Sequence, residues 1–313
     1  AADAAAVRAR VDEASRALAA SGFVNYFGLQ RFGTGAVATH TVGAALLKGD
    51  WAGAADLILR PREGEHPEAT AARRVYADGD GSDACLAAAI EAMPRWMLAE
   101  RSLLRGLQKC GGARSNDFVG ALAALPRTLR SMYVHAFQSY LWNAAASRRA
   151  ELYGLELAAE GDLVLAAEDG GGKPPLTGIP EVRLVTAEEA AAGSVPASRV
   201  VLPLAGAATR LPANEVAQVY KALAAEAGVE LDVSKPAPHA VREYSVHGNP
   251  GAYRKLLVRP ADFSFEIVGY DDPKADITPT NFDTLGQSLD AGGEGARTQE
   301  QGRQGRGADA GAG

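Results

Sequence analysis

Residues 25–33 gather aromatic, amide and guanidinium side chains into one short run, Asn-Tyr-Phe-Gly-Leu-Gln-Arg-Phe-Gly, in a chain that is only 6% aromatic. Phe, Tyr and Arg present flat faces on which a nucleic-acid base stacks, at about 1–3 kcal/mol per base. Asn25 and Gln30 offer the paired donors and acceptors that read a base edge, and Gly28 and Gly33 permit tight turns. The run therefore indicates a base-binding site, whereas the alternative is a buried strand–turn–strand whose aromatics belong to the core.

Residues 101–149 form a strongly basic segment within an acidic protein. The segment carries one acid, Asp117, and a net charge of +7, whereas the whole chain carries −6. Its basic residues are Arg101, Arg105, Lys109, Arg114, Arg127, Arg130, Arg148 and Arg149. Such segregation can form one basic face that binds phosphates in a salt-dependent way; the alternative is a solvated helix face. Arg254, Lys255 and Arg259 are further candidates for a basic wall, with exposed charges at a strand start as the alternative.

A helix is predicted over residues 127–149, because apolar residues recur there at i, i+3, i+4 and i+7 in a continuous stripe. Such a stripe packs on a core, and Tyr140 and Trp142 are expected to pack rather than to bind a base. Four polar residues lie off the stripe and are predicted to face a ligand: Arg127, Arg130, His135 and Gln138.

The periodicity of the remaining chain predicts a mixture of helices and strands. Helices are expected over residues 4–20, 36–48, 51–60, 85–108 with a break at Pro94, and 213–227. Strands are expected within residues 161–165, 200–206 and 263–267. Residues 61–84 are polar and Gly-rich, which favours a loop, and Trp51 and Trp96 are expected in the core. Almost no large apolar residue follows residue 282, so a disordered Gly-rich tail is predicted over residues 283–313.

Composition argues against several classes of protein. The sequence has no apolar run of membrane-spanning length, and its start does not resemble a signal peptide. Cys85 and Cys110 lack C-x-x-C spacing, which predicts a reducing compartment, no disulfide and no zinc site. Hydrolase and metalloprotease motifs are absent, and the glycine run before Lys173 lacks the spacing of a phosphate loop. We therefore expect no metal and an intracellular location: the nucleus, the cytoplasm or an organelle.

Four segments resemble the TruD family of pseudouridine synthases, in its archaeal and eukaryotic branch: residues 25–33, 125–143, 200–206 and 251–273. The resemblance implies isomerisation of uridine to pseudouridine in tRNA or other RNA, without cofactor or metal. It implies that Phe27 stacks on the target uracil and that Asn25 helps to fix the catalytic site, with the uridine extruded from its stack. The substrate-binding residues that follow from the resemblance and from the side-chain chemistry are Asn25, Phe27, Gln30, Arg31, Arg127, Arg130 and Arg254.

The resemblance also implies an α+β fold, in which the mixed sheet of a pseudouridine synthase is interrupted by a mainly helical insertion domain. Residues 1–49 and 258–282 are expected to belong to the catalytic domain, and residues 50–257 to the insertion. RNA is expected in the cleft between them, and the protein is expected to be a monomer without a membrane partner.

Two departures from the family pattern concern catalysis. The family's catalytic Asp lies in a Gly-x-Lys-Asp segment upstream of the Asn-Tyr-Phe-Gly motif, and the sequence before Asn25 contains no such segment. We also expect no counterpart of the strand and helix that follow the Asp-Asp-Pro segment in the family. Asp162, Asp262 and Asp271 fit turns or strand ends instead. We therefore expect this chain alone to be inactive; the alternatives are a non-catalytic RNA-binding module and a helical scaffold that binds protein.

Overall fold

The computed structural model describes residues 4–112, 115–170 and 178–270, together with residues 272, 274 and 281. The chain divides into two compact units, one made of residues 1–15 and 262–313 and the other of residues 16–261. In the first unit, Phe263 and Phe265 stack with their ring centroids 6.3 Å apart. The predicted strand over residues 263–267 is wrong, because these residues pair with no described strand and most of them are exposed.

Ten α-helices are present among the described residues, and several begin with ordinary capping chemistry. The side chains of Asp50, Ser82, Asp117 and Thr186 each accept a backbone N–H at a helix start. The helices are α1 (Ala4–Ser21), α2 (Thr39–Lys48), α3 (Trp51–Leu59), α4 (Pro67–Ala77), α5 (Asp83–Ala92), α6 (Leu98–Lys109), α7 (Phe118–Ala123), α8 (Arg127–Tyr153), α9 (Ala187–Ala192) and α10 (Val216–Ala227).

Six short strands form two antiparallel sheets in the part of the chain that the structure describes. Strand β1 (Phe23–Val24) pairs with β6 (Leu257–Val258), with Phe23 opposite Val258. The other four are β2 (Leu163–Leu165), β3 (Val182–Leu184), β4 (Val200–Leu204) and β5 (Ala252–Lys255), and they lie in the order β3-β2-β4-β5. A single residue, Leu256, separates β5 from β6 and so links the two sheets.

Helix α8 is the centre of the core. Trp142 is fully buried and donates its indole N–H to the carbonyl of Leu202 at 3.2 Å, which fixes α8 to strand β4. Helix α2 approaches α8 closely at Gly43, where a Cβ atom would collide with the carbonyl of Tyr133. The contact between these two helices therefore requires glycine at position 43.

Two predictions for the region before α6 are wrong. Residues 61–84 contain α4 and the start of α5 rather than a loop. The polar composition of α4 predicts a loop, but one of its charged residues, Arg73, is buried. Arg73 pairs with Glu65 at 3.0 Å and with Glu100 at 2.5 Å. Trp96 is 65% exposed rather than in the core, since it lies in the turn between α5 and α6.

The predicted α+β class is confirmed, as are the other predicted helices and strands, with shifts of a few residues at their ends. Helix α8 continues to Tyr153, one turn beyond its predicted end. The predicted domain boundaries at residues 49 and 257 stay a prediction, and residues 283–313 lie outside the described part of the chain. Among the helices that the structure describes, none is both long and apolar enough to cross a bilayer.

Candidate functional site

A side chain of helix α8 forms hydrogen bonds with the backbone of Phe27. The amide of Asn143 accepts the N–H of Phe27 through Oδ1 and donates to the Phe27 carbonyl through Nδ2, both at 2.9 Å. One turn further along the same helix face, Ser147 Oγ lies 2.9 Å from the hydroxyl of Tyr26. Helix α8 thus fixes the loop that carries the aromatic residues, at its backbone and at one side chain.

Asn25 is fixed by strand β5. Arg254 donates through Nε to the Asn25 carbonyl at 2.8 Å and through a terminal nitrogen to Asn25 Oδ1 at 2.7 Å. The side-chain nitrogen of Asn25 donates to the carbonyl of Lys255 at 3.2 Å, and its backbone N–H donates to Leu256 at 2.8 Å. Because both ends of its amide have protein partners, Asn25 joins the loop to β5. These two bonds use one of the two N–H donors and one of the two acceptor sites of the amide.

The ring of Phe27 is surrounded by cationic and aromatic groups. The guanidinium carbon of Arg254 lies 4.0 Å from the ring centroid and that of Arg31 lies 5.4 Å from it. The buried Trp142 meets the ring edge-on, with centroids 5.8 Å apart. A shallow pocket of about 380 Å³ opens beside the ring, lined by Phe27, Gly28, Gln30, Arg31 and Met132.

The electrostatics of this cluster are cationic. Burial, and after it the positive charge of Arg31, lower the pKa of Arg254. The same two causes, in the same order, lower the pKa of His135 on α8. Among the described residues, no carboxylate forms an ion pair with Arg31 or Arg254. The cluster therefore suits an electron-rich or anionic ligand.

The structure brings together five of the predicted substrate-binding residues: Asn25, Phe27, Gln30, Arg31 and Arg254. Arg130 points elsewhere, to Glu243 at 3.3 Å and to the carbonyl of Ala123 at 2.5 Å. Arg130 lies two residues before Met132, roughly 200° around the helix from the pocket wall. Its predicted contact with the substrate is therefore not supported by its position, and Arg127 is exposed at the start of α8.

Gln138 was predicted to face a ligand, and this is wrong because Gln138 is buried. Its side-chain nitrogen donates to the carbonyl of Ala205 at 2.7 Å. Helical periodicity places Gln138 off the apolar stripe but does not reveal that a neighbouring strand end covers that part of the helix.

Several residues of the predicted basic face instead form hydrogen bonds or ion pairs within the protein. Arg149 is fully buried against Asp162 at 2.7 Å, and Arg101 donates to the carbonyls of Ile90 and Met93 at the end of α5. Further along the chain, Lys255 pairs with Glu168 at 2.9 Å, while Arg259 donates to the carbonyls of Ala19 and Ala20 at the end of α1. Arg114 lies outside the described residues.

Asp162 has the structural role that its turn position predicts. It is fully buried and accepts hydrogen bonds from Arg149, from the backbone of Ala159 and from Asn214. Asp262 has a positive φ of 49° and is exposed, and Asp271 lies outside the described residues. Within the described part of the chain, no group of three His, Cys, Asp or Glu residues is placed to hold a metal ion.

Sequence reasoning missed Asn143 as part of the site. Asn143 lies eleven residues after Met132, which places the two side chains within roughly 20° on one face of α8. Asn143 and Gln138 are the two side-chain amides of α8, and the sequence alone does not show which backbone groups either of them meets.

The model of the family tRNA pseudouridine synthase D (TruD) matches residues 1–272 of this chain. The chain belongs to the TruD family. Multisubstrate pseudouridine synthase 7 of Schizosaccharomyces pombe is 39% identical over 291 residues, covering 88% of this chain and 41% of the relative. The probable tRNA pseudouridine synthase D of Pyrobaculum arsenaticum is 32% identical over 266 residues, covering 84% of this chain and 56% of the relative.

A solved TruD structure has a similar fold. The structure of the putative tRNA pseudouridine synthase D of Methanosarcina mazei matches with a TM-score of 0.61 and 26% identity, covering 80% of this chain and 55% of that one. Like the match to the yeast relative, this match leaves a large part of the relative uncovered. The chain spans about two fifths of the length of the pseudouridine synthase 7 relatives.

Proposed function

We propose that this protein acts in the isomerisation of uridine to pseudouridine in RNA. The observation that carries the proposal is the ring of Phe27, held by Asn143 and Arg254 beside an open pocket in a chain of the TruD family. A stacked uracil would occupy this pocket, next to Gln30 and Arg31. The target nucleotide would be extruded from its own stack, as enzymes acting on bases require.

The chemical step needs a carboxylate that attacks the ribose or removes its proton. Among the described residues, no Asp or Glu side chain contacts Asn25, Phe27 or Arg254 through a hydrogen bond or ion pair. Asp162, the buried candidate, is occupied by Arg149. We therefore propose that this chain by itself binds RNA and does not turn it over.

A tritium-release assay tests the proposal. Isomerisation attaches carbon 5 of uracil to the ribose, so RNA made with 5-tritiated uridine releases its label to water. We expect no release by these 313 residues, together with RNA binding that Phe27→Ala weakens roughly tenfold, as the loss of one stacked base predicts. Robust release would show that the chain holds its own catalytic carboxylate.

A salt series in a filter-binding assay separates RNA binding from a protein-binding scaffold. RNA affinity that falls as salt rises from about 50 to about 200 mM supports the proposal. Undetectable or salt-independent binding would favour the scaffold. The monomeric state and the intracellular location stay predictions.

A further inference from the structure

Arg31 has an unused set of donors beside the pocket. It ends a short 3₁₀ helix, Leu29–Arg31, which follows Gly28 in extended backbone. Its side chain is half-buried, and within the described residues its guanidinium forms no hydrogen bond and no ion pair; its recorded contact is the ring of Phe27. A guanidinium has five N–H groups, and these remain available to a ligand.

Every other half-buried or buried arginine that the structure describes has at least one hydrogen bond or ion pair with a protein group. Arg73 has two carboxylates and a carbonyl, Arg149 has a carboxylate and two carbonyls, and Arg254 has the two oxygens of Asn25. Arg31 is thus an exception at the position where a ligand is expected. An exposed surface arginine without partners would be ordinary, but Arg31 lies against the site.

Positive charge also converges at this point. Arg31 and Arg254 both lie beside the ring of Phe27. The positive charge of Arg31 lowers the pKa of both Arg254 and His135. Two positive charges that lie close together repel each other unless an anion lies between or beside them. Since no described carboxylate neutralises the pair, the compensating anion would come from the ligand.

We propose that Arg31 holds a backbone phosphodiester of the RNA next to the base that stacks on Phe27, and that the neighbouring charge of Arg254 adds to the attraction. The inference rests on the proposed function, because it assigns the anion to the RNA substrate. The planar fork of arginine matches two oxygens of a phosphate. Arg31 lies 5.4 Å from the ring centroid, so one nucleotide can contact Phe27 with its base and Arg31 with an adjoining phosphate.

Arg31→Gln is the decisive variant, since Arg254 also fixes Asn25 and its loss would disturb the loop. Arg60→Gln is the matched control, because it removes the same charge from an exposed arginine that pairs with Asp56 of α3 and lies outside the basic segment. Each variant is titrated with a short single-stranded RNA that contains one uridine, across a salt series. For Arg31→Gln we expect roughly tenfold weaker binding at low salt and a salt slope reduced by about 1, with a smaller change for Arg60→Gln.

A neutral linkage identifies the source of the anion. Methylphosphonates replace, in turn, the phosphodiester on each side of the uridine. At one of the two positions, we expect the neutral linkage to weaken binding by the wild-type protein as much as Arg31→Gln weakens binding of the natural RNA. The Arg31→Gln variant should bind this modified RNA and the natural RNA equally.

Three outcomes decide the matter. If Arg31→Gln matches Arg60→Gln in affinity and slope while the wild type binds RNA, this inference is overturned and the proposed function stands. If Arg31→Gln binds weakly but neither neutral linkage abolishes the difference, the phosphodiester assignment is overturned. If the wild type binds no RNA, both the inference and the proposed function fail.

Discussion

Asn143 is the residue on which the geometry of Phe27 depends most directly. Its single amide satisfies both the N–H and the C=O of Phe27. An amide side chain that pairs in this way replaces the neighbouring strand that an extended backbone would otherwise need. The position of the ring is therefore set from a helix, although the loop itself has little regular structure.

Asn143→Ala should lower the free energy of unfolding by about 1–3 kcal/mol, because it leaves a part-buried donor and acceptor of Phe27 without partners. RNA affinity should fall as well, since the ring is no longer held. Urea denaturation and filter binding measure the two effects.

Ser147→Ala is the matched control on the same helix face. It removes one exposed hydrogen bond to Tyr26 and should cost about 0.5 kcal/mol or less. Equal stability losses in the two variants would contradict the role assigned to Asn143.

His40 should make stability depend on pH. Its ring stacks on Tyr140 at 4.2 Å with the planes 5° apart, Phe32 meets it edge-on, and its buried Nδ1 has no hydrogen-bond partner among the described residues. Burial lowers the pKa of His40 below 6.5, so the unfolded chain binds the proton more tightly than the folded one. The stabilisation from neutral His40 is complete above the unfolded value of 6.5 and is lost as pH falls towards the lower folded value.

The measurement is the thermal midpoint of the wild type and of His40→Phe between about pH 7.5 and about pH 5.5. His40→Phe keeps an aromatic ring on Tyr140 and should lose less stability on acidification. A residual loss is expected from His135, whose pKa is also lowered. Identical pH profiles for the two proteins would contradict the assignment to His40.

At the scale of side chains, the sequence predicted what a short motif contains but not what each polar group meets. Asn25, Phe27, Gln30 and Arg31 lie within seven residues, so local sequence brings them together. The orientations of Arg130 and Gln138 depend on Glu243 and Ala205, which are far away in the chain. The periodicity of a helix does not predict contacts between residues so far apart in the sequence.

At the scale of elements, the contact between α2 and α8 positions the helix that carries Asn143. It depends on Gly43, and six consecutive residues of α2, from Val42 to Leu47, are buried. A β-carbon at position 43 would force the helices apart, because the opposing atoms belong to the backbone of Tyr133 and cannot rotate away.

Gly43→Ala should therefore destabilise the protein by about 1–3 kcal/mol or more, by overpacking. Gly28→Ala is a control with the same chemical change. Gly28 has an ordinary φ of −75°, and apart from its two chain neighbours no described residue has an atom within 4 Å of where the Cβ would lie. It should change the unfolding free energy by about 0.5 kcal/mol or less. Similar losses in both variants would show that helix packing is not the cause.

Helices were predictable where apolar periodicity was continuous, and this is why α8 and α10 are confirmed. Helix α4 was not, because its buried face includes a charged residue, Arg73, whose carboxylate partners lie outside the helix. The strand predicted at residues 263–267 has the right alternation, yet alternation forms a strand only where a partner edge is available.

At the scale of the whole molecule, the site is assembled from the two ends of residues 16–261 and from helix α8 between them. Strand β1 pairs with β6, and Asn25 and Arg254 are separated by 229 positions in sequence. Between them lie nine of the ten described helices. The site therefore forms only where these distant segments meet, and no single helix or strand contains it. We call the meeting of the two segments the closure of the chain.

This closure has a consequence for folding kinetics. Contacts between residues so far apart carry the largest loop-closure entropy, so they are expected to form after the transition state. Arg254→Lys, which weakens the closure, should accelerate unfolding and leave the refolding rate nearly unchanged, giving a φ-value near zero in stopped-flow measurements. A φ-value near one would place the closure in the nucleus. With late closure, the base-binding surface is completed only after the transition state for folding, and it opens before that state is reached in unfolding.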